Sequence, residues 1–255
     1  MKQKEKNPLV SIILPVYNGS NSLSDCLKSL LRQTYKQIEI IAIDDHSNDE
    51  SYKILRSFRK KDQRLRISRN VKHYGLTITL NRSLKRAKGT YIAFINARDT
   101  SSQHRISSQL TYLLRHPKTA AVGTQCFFIN EQKKRIGRST FPADCASIAK
   151  TLTNEVSITF ESTLINRRLL PKDLLRFEAH RYPFLFTNLF GKILTYGSIA
   201  NVDKYLYTRT TDDLALSSRL KKHLFPSLGV WVKTFVHSDY RLPIRSLVFP
   251  ILKVR

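Results

Sequence analysis

Three short stretches limit most strongly what this chain can become: LVSIILPVYN from Leu9, IEIIAIDD from Ile38 and YIAFINARD from Tyr91. Each is apolar at nearly every position and then breaks into polar or charged residues. A strand with one wet face alternates, so a strand that is apolar throughout must be covered on both faces. The segments between them carry helical spacing. In SLSDCLKSLLRQ the apolar positions are Leu23, Leu27, Leu30 and Leu31, and Ser22 with Asp25 suits an N-terminal capping pair. Further helices are expected from about Asp49 to Lys61, across GLTITLNRSLKRAKG with Gly89 closing its C-terminal end, and from Gln103 to Arg115 before Pro117. A weak strand is expected at Leu65 to Ser68. Strand and helix in alternation predict an α/β fold with a mostly parallel sheet and helices on both faces.

In such sheets ligands gather outside the carboxyl ends of the strands. That rule brings Val16-Tyr17-Asn18, Asp44-Asp45 and Asn96 to Asp99 to one rim. The second half is less regular. AAVGTQCFFIN and KKRIGR read as two strands joined by a polar turn at Asn130 to Gln132. ITFESTLINRRLL reads as a strand leading into a basic turn, and NVDKYLYTRT as a late edge strand.

The rim residues suggest chemistry. No glycine-rich dinucleotide or P-loop signature follows any strand. DDHSND has two readings. Ser47, Asn48 and Asp49 suit helix capping, whereas Asp44, at the end of a buried strand, could accept the ring N–H of a pyrimidine base. The corner Asn96-Ala97-Arg98-Asp99 stands where two acids one residue apart would hold a divalent ion against a phosphate. Here the first such position is an amide and the second a guanidinium.

VSIILPVYNGSNSLSDCLKSLLRQTYKQIEIIAIDDHSNDES and HYGLTITLNRSLKRAKGTYIAFINARD resemble the opening of the family-2 glycosyltransferases, enzymes that use nucleotide sugars. HPKTAAVGTQCFFIN and FESTLINRRLL extend the resemblance more loosely, so that it covers roughly residues 9 to 210. It implies a GT-A-type, Rossmann-like fold with a smaller acceptor-side region, and transfer of a sugar with inversion onto a cell-surface glycan or lipid-linked acceptor. The alternative is a degenerate homologue that binds nucleotide or serves as a scaffold.

By position, the resemblance assigns Pro15, Val16, Tyr17, Asn18, Asp44 and Asp45 to the nucleotide pocket, most naturally for a UDP-sugar. Lys72, Gly75 and Leu76 would flank the base and phosphates. It implies Mg2+ or Mn2+ at Asn96, Arg98 and Asp99, of which only Asp99 is an acid. Its general base falls on Leu185-Phe186, neither of which can accept a proton. Glu178 and His180 are acid–base residues nearby, open also to reading as plain surface groups.

The balance of 44 Lys+Arg against 19 Asp+Glu, net +25, favours anionic partners. No nucleic-acid signature is present, so nucleic acid ranks below nucleotide sugars and membrane. From Arg219 onward eight basic residues and one acid, Asp239, are mixed with aromatic and aliphatic side chains. That segment suits an anionic membrane surface or a tail helix with a solvated face. Residues 1–218 are expected to form the transferase-like domain, 1–116 its nucleotide half and 117–218 its acceptor half, with 219–255 a basic amphipathic tail. Three scattered cysteines, no leader at the N-terminus and no apolar run of about 20 residues predict a cytoplasmic protein, peripheral on the inner membrane face.

Overall fold

The computed structural model describes residues 7–151, 157–178 and 185–211. His180 and the 219–255 tail lie outside them. The expected strands form β1 (Val10–Val16), β2 (Ile38–Asp44), β3 (Leu65–Arg69) and β4 (Tyr91–Phe94), all parallel in the order β3-β2-β1-β4. Between them lie α1 (Ser20–Leu31), α2 (Ser51–Lys61) and α3 (Leu76–Arg86). After β4 come β5 (Thr100–Ser101), α4 (Arg105–Arg115), β6 (Thr119–Ile129), β7 (Arg135–Arg138), α5 (Cys145–Thr151), β8 (Leu164–Asn166), α6 (Leu185–Leu194) and β9 (Ser198–Thr210). The sheet continues from β4 through β8, β6 and β9 to β5, with β7 paired to β6. The two expected halves therefore share one sheet.

Both faces are covered, as the apolar runs require. On one side Val10, Ile12, Leu14 and Val16 of β1 pack with Leu23 and Leu27 of α1, Leu55 of α2 and Ile106 of α4. On the other, Ile13, Ile41 and Ile43 pack with Leu80 of α3 and Leu189 and Ile193 of α6. Burial of this kind contributes roughly 25 cal/mol per Å² of apolar surface.

Several local expectations are corrected. Helix α1 begins at Ser20, so Ser22 and Asp25 lie inside it rather than at its cap. Asp25 instead pairs with Lys133 at 2.6 Å, across to the β6–β7 turn. Asp49 does not begin α2 but ties two helix starts together. Its carboxylate accepts Ser20 N and Ser51 N, each at 2.9 Å. Burial raises its pKa, and the hydrogen bonds from Ser51 and Ser20 outweigh that and hold it at about 2. Gly89 is not a C-terminal cap, since α3 ends at Arg86 and Ala87 is already extended. It is small for another reason: a Cβ there would stand 2.5 Å from Ser11 N.

The FEST stretch is no strand. Phe160–Ser162 forms a 3-10 turn, and only Leu164–Asn166 joins the sheet. The late strand expected at an edge is β9, which pairs with β6 along most of its length and on its other side meets only the two residues of β5, at Thr208 and Tyr207. At the rim, the β1–β4 ladder stops at Ile13↔Phe94 while β1–β2 continues to Val16↔Asp44. Pro15, which has no N–H to donate, sits where β4 has already turned away.

Candidate functional site at the carboxyl rim

The rim backbone is held in unusual conformations. Asn18 and His46, just past β1 and β2, have φ of 45° and 63°. Such left-handed residues persist where their surroundings hold them. Here Asn18 N donates to Ser47 Oγ at 3.0 Å, and Asn48 N donates back to Asn18 Oδ1 at 2.9 Å. The Tyr17 ring, nearly half exposed, stacks on His73 with centroids 4.0 Å apart.

The two acids of β2 do different work. Asp45 receives Tyr74 N at 3.0 Å, Gly75 N at 2.7 Å and Asn70 Nδ2 at 2.6 Å. The φ of 83° at Gly75 lets two successive amides converge on that carboxylate. Burial opposes ionisation, but these hydrogen bonds prevail and keep its pKa below the usual carboxylate value. Asp45 thus clamps the loop that carries exposed Lys72, whose ammonium lies 5.5 Å from the Tyr74 ring centroid, and leads to Leu76, 40% exposed. Asp44 is fully buried. Its Oδ2 takes Arg69 Nε at 3.0 Å and Ser47 N at 3.2 Å, while Oδ1 has no hydrogen-bond partner among the described residues. A buried carboxylate oxygen without a donor is costly, and that cost is relieved when a donor arrives.

The Asn96–Asp99 corner is built differently from a metal site. Asn96 Oδ1 accepts Arg98 N at 2.9 Å. Asp99, 3% exposed, turns inward, taking Tyr207 Oη at 2.7 Å and Thr210 N at 2.8 Å. Burial drives its pKa up to about 7, against the pull of those two donors. Arg98 reaches Glu131 Oε1 at 3.1 Å on the β6–β7 turn. Three committed oxygens and a permanent cation do not suit Mg2+ or Mn2+, which want several unshared oxygens. No group of three or more His, Cys, Asp or Glu gathers to hold a metal among the described residues.

At the acceptor side, Phe186 stacks on Phe160 with centroids 3.9 Å apart and planes 10° apart. Phe177 and Phe190 meet the same ring edge-on. The expected base position is thus the edge of an aromatic cluster. Glu178 is taken by Lys192 Nζ at 2.9 Å. Reading FEST as a strand hid Glu161, which lies in the turn beside Phe160. It also hid why Arg105 is fully buried, with Nη2 on Phe94 O at 3.0 Å and Nη1 on Glu161 O at 3.2 Å. A lone acid inside an apolar run was the one signal available for Glu161.

A family model described as glycosyl transferase family 2 matches residues 11–175. An uncharacterized glycosyltransferase of Haemophilus influenzae is 34% identical over 120 residues, 47% of this chain and 48% of that protein. The glycosyltransferase GlyG of Streptococcus pneumoniae is 34% identical over 100 residues, 39% of this chain and 33% of that one. The chain spans about half or less of the length of these two relatives. Among solved structures, S. aureus TarS 1-349 in complex with UDP-GlcNAc aligns with a TM-score of 0.67 at 17% identity, covering 95% of this chain and 71% of that one. The mannosyltransferase PcManGT of Pyrobaculum calidifontis, in complex with GDP-Man and Mn2+, aligns with a TM-score of 0.69 at 16% identity, covering 97% and 69%. These two likenesses concern the fold, which is of the GT-A glycosyltransferase kind.

Proposed function

The chain belongs to glycosyl transferase family 2, and on that premise we propose that it moves a sugar from a nucleotide-sugar donor, first of all a UDP-sugar, onto a glycan or lipid-linked acceptor. The observation that carries this reading is Asp44 Oδ1, a buried acceptor at the end of β2 without a donor among the described residues. A uracil ring N–H supplies the missing donor, and a base without one leaves the oxygen unpaired. Tyr17 and His73 offer a stacking face beside it. Lys72, on the loop clamped by Asp45, and Arg98 bring positive charge to the rim where the diphosphate departs.

The chemistry is a single displacement that inverts the anomeric carbon. Arg98 neutralises the leaving diphosphate in place of an ion, since a guanidinium presents paired donors to phosphate oxygens. To do so it must exchange Glu131 for the ligand, a modest cost for a partly exposed pair. The TarS and PcManGT complexes were solved with nucleotide sugars, and that supports the donor class.

A second reading, a homologue that binds the nucleotide without transferring, draws support from Phe186, which fills the expected base position with an aromatic ring. An anionic membrane surface, at the inner face of the membrane, is the proposed setting. Lys53, Arg56, Lys60 and Lys61 form an exposed cationic stripe along α2 at helical spacing. No helix among the described residues is long and apolar enough to cross a membrane.

Calorimetric titration with UDP, UDP-sugars and GDP-sugars, with and without chelator, tests the reading. Micromolar to millimolar binding of UDP, unchanged by chelator, is expected. Absence of any nucleotide binding overturns both readings. Binding without release of nucleotide from any donor favours the second.

A further inference from the structure

The acceptor hydroxyl must lose a proton during transfer, and the usual position for the base is Phe186. Asp44 keeps one open oxygen, which the reading above gives to the nucleotide base, and the other acids around the rim are committed. Asp45 holds backbone amides, Asp49 ties two helix starts, Asp99 faces Tyr207 and Thr210, Glu131 meets Arg98 and Glu178 meets Lys192. Glu161 differs. It is half-buried, and no hydrogen bond or ion pair holds its carboxylate among the described residues.

Its place follows from the sheet register. Strand β8 runs antiparallel to β4 with Ala93 opposite Leu164, so the 160–162 turn lies just past the carboxyl end of β4, beside the Asn96–Asp99 corner. On the other side, Phe160 carries the Phe186 ring at the start of α6. Glu161 therefore stands between the phosphate corner and the vacated base position. Its charge also acts on both Asp99 and Tyr207, which puts it within electrostatic range of that corner.

The turn is held firmly although the carboxylate has no partner among the described residues. Arg105 grips the carbonyls of Glu161 and Phe94 together, which fixes the turn to the end of β4. Gln109 Nε2 holds the Ser162 carbonyl at 2.9 Å, and Ser162 Oγ returns to Thr159 O at 2.8 Å. A carboxylate with no partner among the described residues, on a backbone held by these hydrogen bonds, is available to act as a general base.

We propose that Glu161 is the general base of the transfer, an assignment that rests on the sugar-transfer reading above. Its carboxylate takes the proton from the acceptor hydroxyl as that oxygen bonds to the anomeric carbon. The bond from the anomeric carbon to the phosphate oxygen breaks on the opposite face. Its electron pair leaves with the diphosphate, and Glu161 later returns the proton to solvent. Glu161, next in the chain to the Phe160 ring on which Phe186 stacks, takes the role of the acid expected at Phe186.

The test compares the parent chain with Glu161→Gln, which keeps shape and removes the base. Nucleotide release is measured from UDP-glucose, UDP-galactose and UDP-GlcNAc with water as the acceptor, alongside UDP binding by calorimetry. Turnover is expected to fall by roughly 100-fold or more, as for loss of a general base. UDP affinity should stay within about twofold, because Glu161 meets the acceptor and not the nucleotide. The acidic limb of the parent's pH–rate profile should vanish in the variant. Adding Phe186→Asp to Glu161→Gln should recover part of the rate, which a merely structural role for Glu161 does not allow. Turnover by Glu161→Gln at the parent's rate and pH dependence overturns the assignment. So does loss of UDP binding in that variant, or a parent that binds UDP and never releases nucleotide from a donor. A parent that binds no nucleotide overturns the sugar-transfer reading itself.

Discussion

Replacing Asp99 by asparagine should make the protein more stable above neutral pH and leave it nearly unchanged in acid. The carboxyl is 3% exposed, and burial lifts its pKa from 3.8 to about 7. The folded chain therefore holds this proton over a range in which the unfolded chain has released it. Stability from the protonated form is fully present below about pH 4, falls as pH rises, and is lost by the time pH passes about 7. At about 1.4 kcal/mol for each pH unit, the rise corresponds to on the order of 4 kcal/mol at full extent. That is a large share of the roughly 5–15 kcal/mol of a typical domain. Asparagine cannot titrate. Its Oδ1 can still accept Thr210 N and its Nδ2 can donate to Tyr207 Oη, the two partners that Asp99 now holds. Urea unfolding at pH 4, 5, 6, 7 and 8, followed by circular dichroism, gives the difference directly, since every other titrating group is common to both chains. The gap should open between pH 4 and 7 and then level off. Parallel stability curves across that range would refute the reasoning.

Asp44→Ala should weaken UDP binding by about 1–3 kcal/mol, read by calorimetry, because it removes the acceptor offered to the base. Equal binding by parent and variant takes Asp44 out of the site. Arg98→Ala should weaken UDP by about 1–3 kcal/mol, and a strong chelator should leave the parent's affinity unchanged; chelator-sensitive binding would show an ion doing this work. Reversing the α2 stripe with Lys53→Glu, Arg56→Glu, Lys60→Glu and Lys61→Glu should reduce sedimentation with phosphatidylglycerol vesicles, in a salt-dependent way, without loss of helix signal. Deleting residues 219–255 in a parallel chain separates the helix's share from that of the tail.

The strands that built the rim were legible because a fully buried strand leaves an uninterrupted apolar run, and β1, β2 and β4 each leave one. The polar residues that end those runs, Asn18, Asp44 and Asn96, then mark the rim without further information. What stayed hidden depends on partners far along the chain. Asp99 reads as the one acid at the metal position until Tyr207, 108 residues later, is set against it. The weak alternation of NVDKYLYTRT suggests an edge, and nothing local reveals that Thr100 and Ser101 of β5 pair with its outer side. Gly89 looks like a helix cap in sequence, whereas its size is demanded by Ser11 across 78 residues. Phe160 and Glu161 look like a strand because a buried 3-10 turn and a buried strand are equally apolar. The turn is set by Arg105 and Gln109, which no periodicity connects to it.

The inward turn of Asp99 has a consequence for the chain as it is being made. Its two donors, Tyr207 and Thr210, are 108 and 111 residues downstream. At roughly 5–20 residues per second, ribosomes need on the order of 5–20 s to reach them after Asp99 is added. Throughout that interval β1 to β4 can pair, yet the carboxyl at the end of β4 has no lid and titrates as an ordinary acid in water. Closure comes with β9, when the proton is taken up from solution as the strand seats. The last strand in the chain among the described residues thus carries a chemical signature, proton uptake near neutral pH, by which its arrival can be timed in a refolding experiment with an indicator dye.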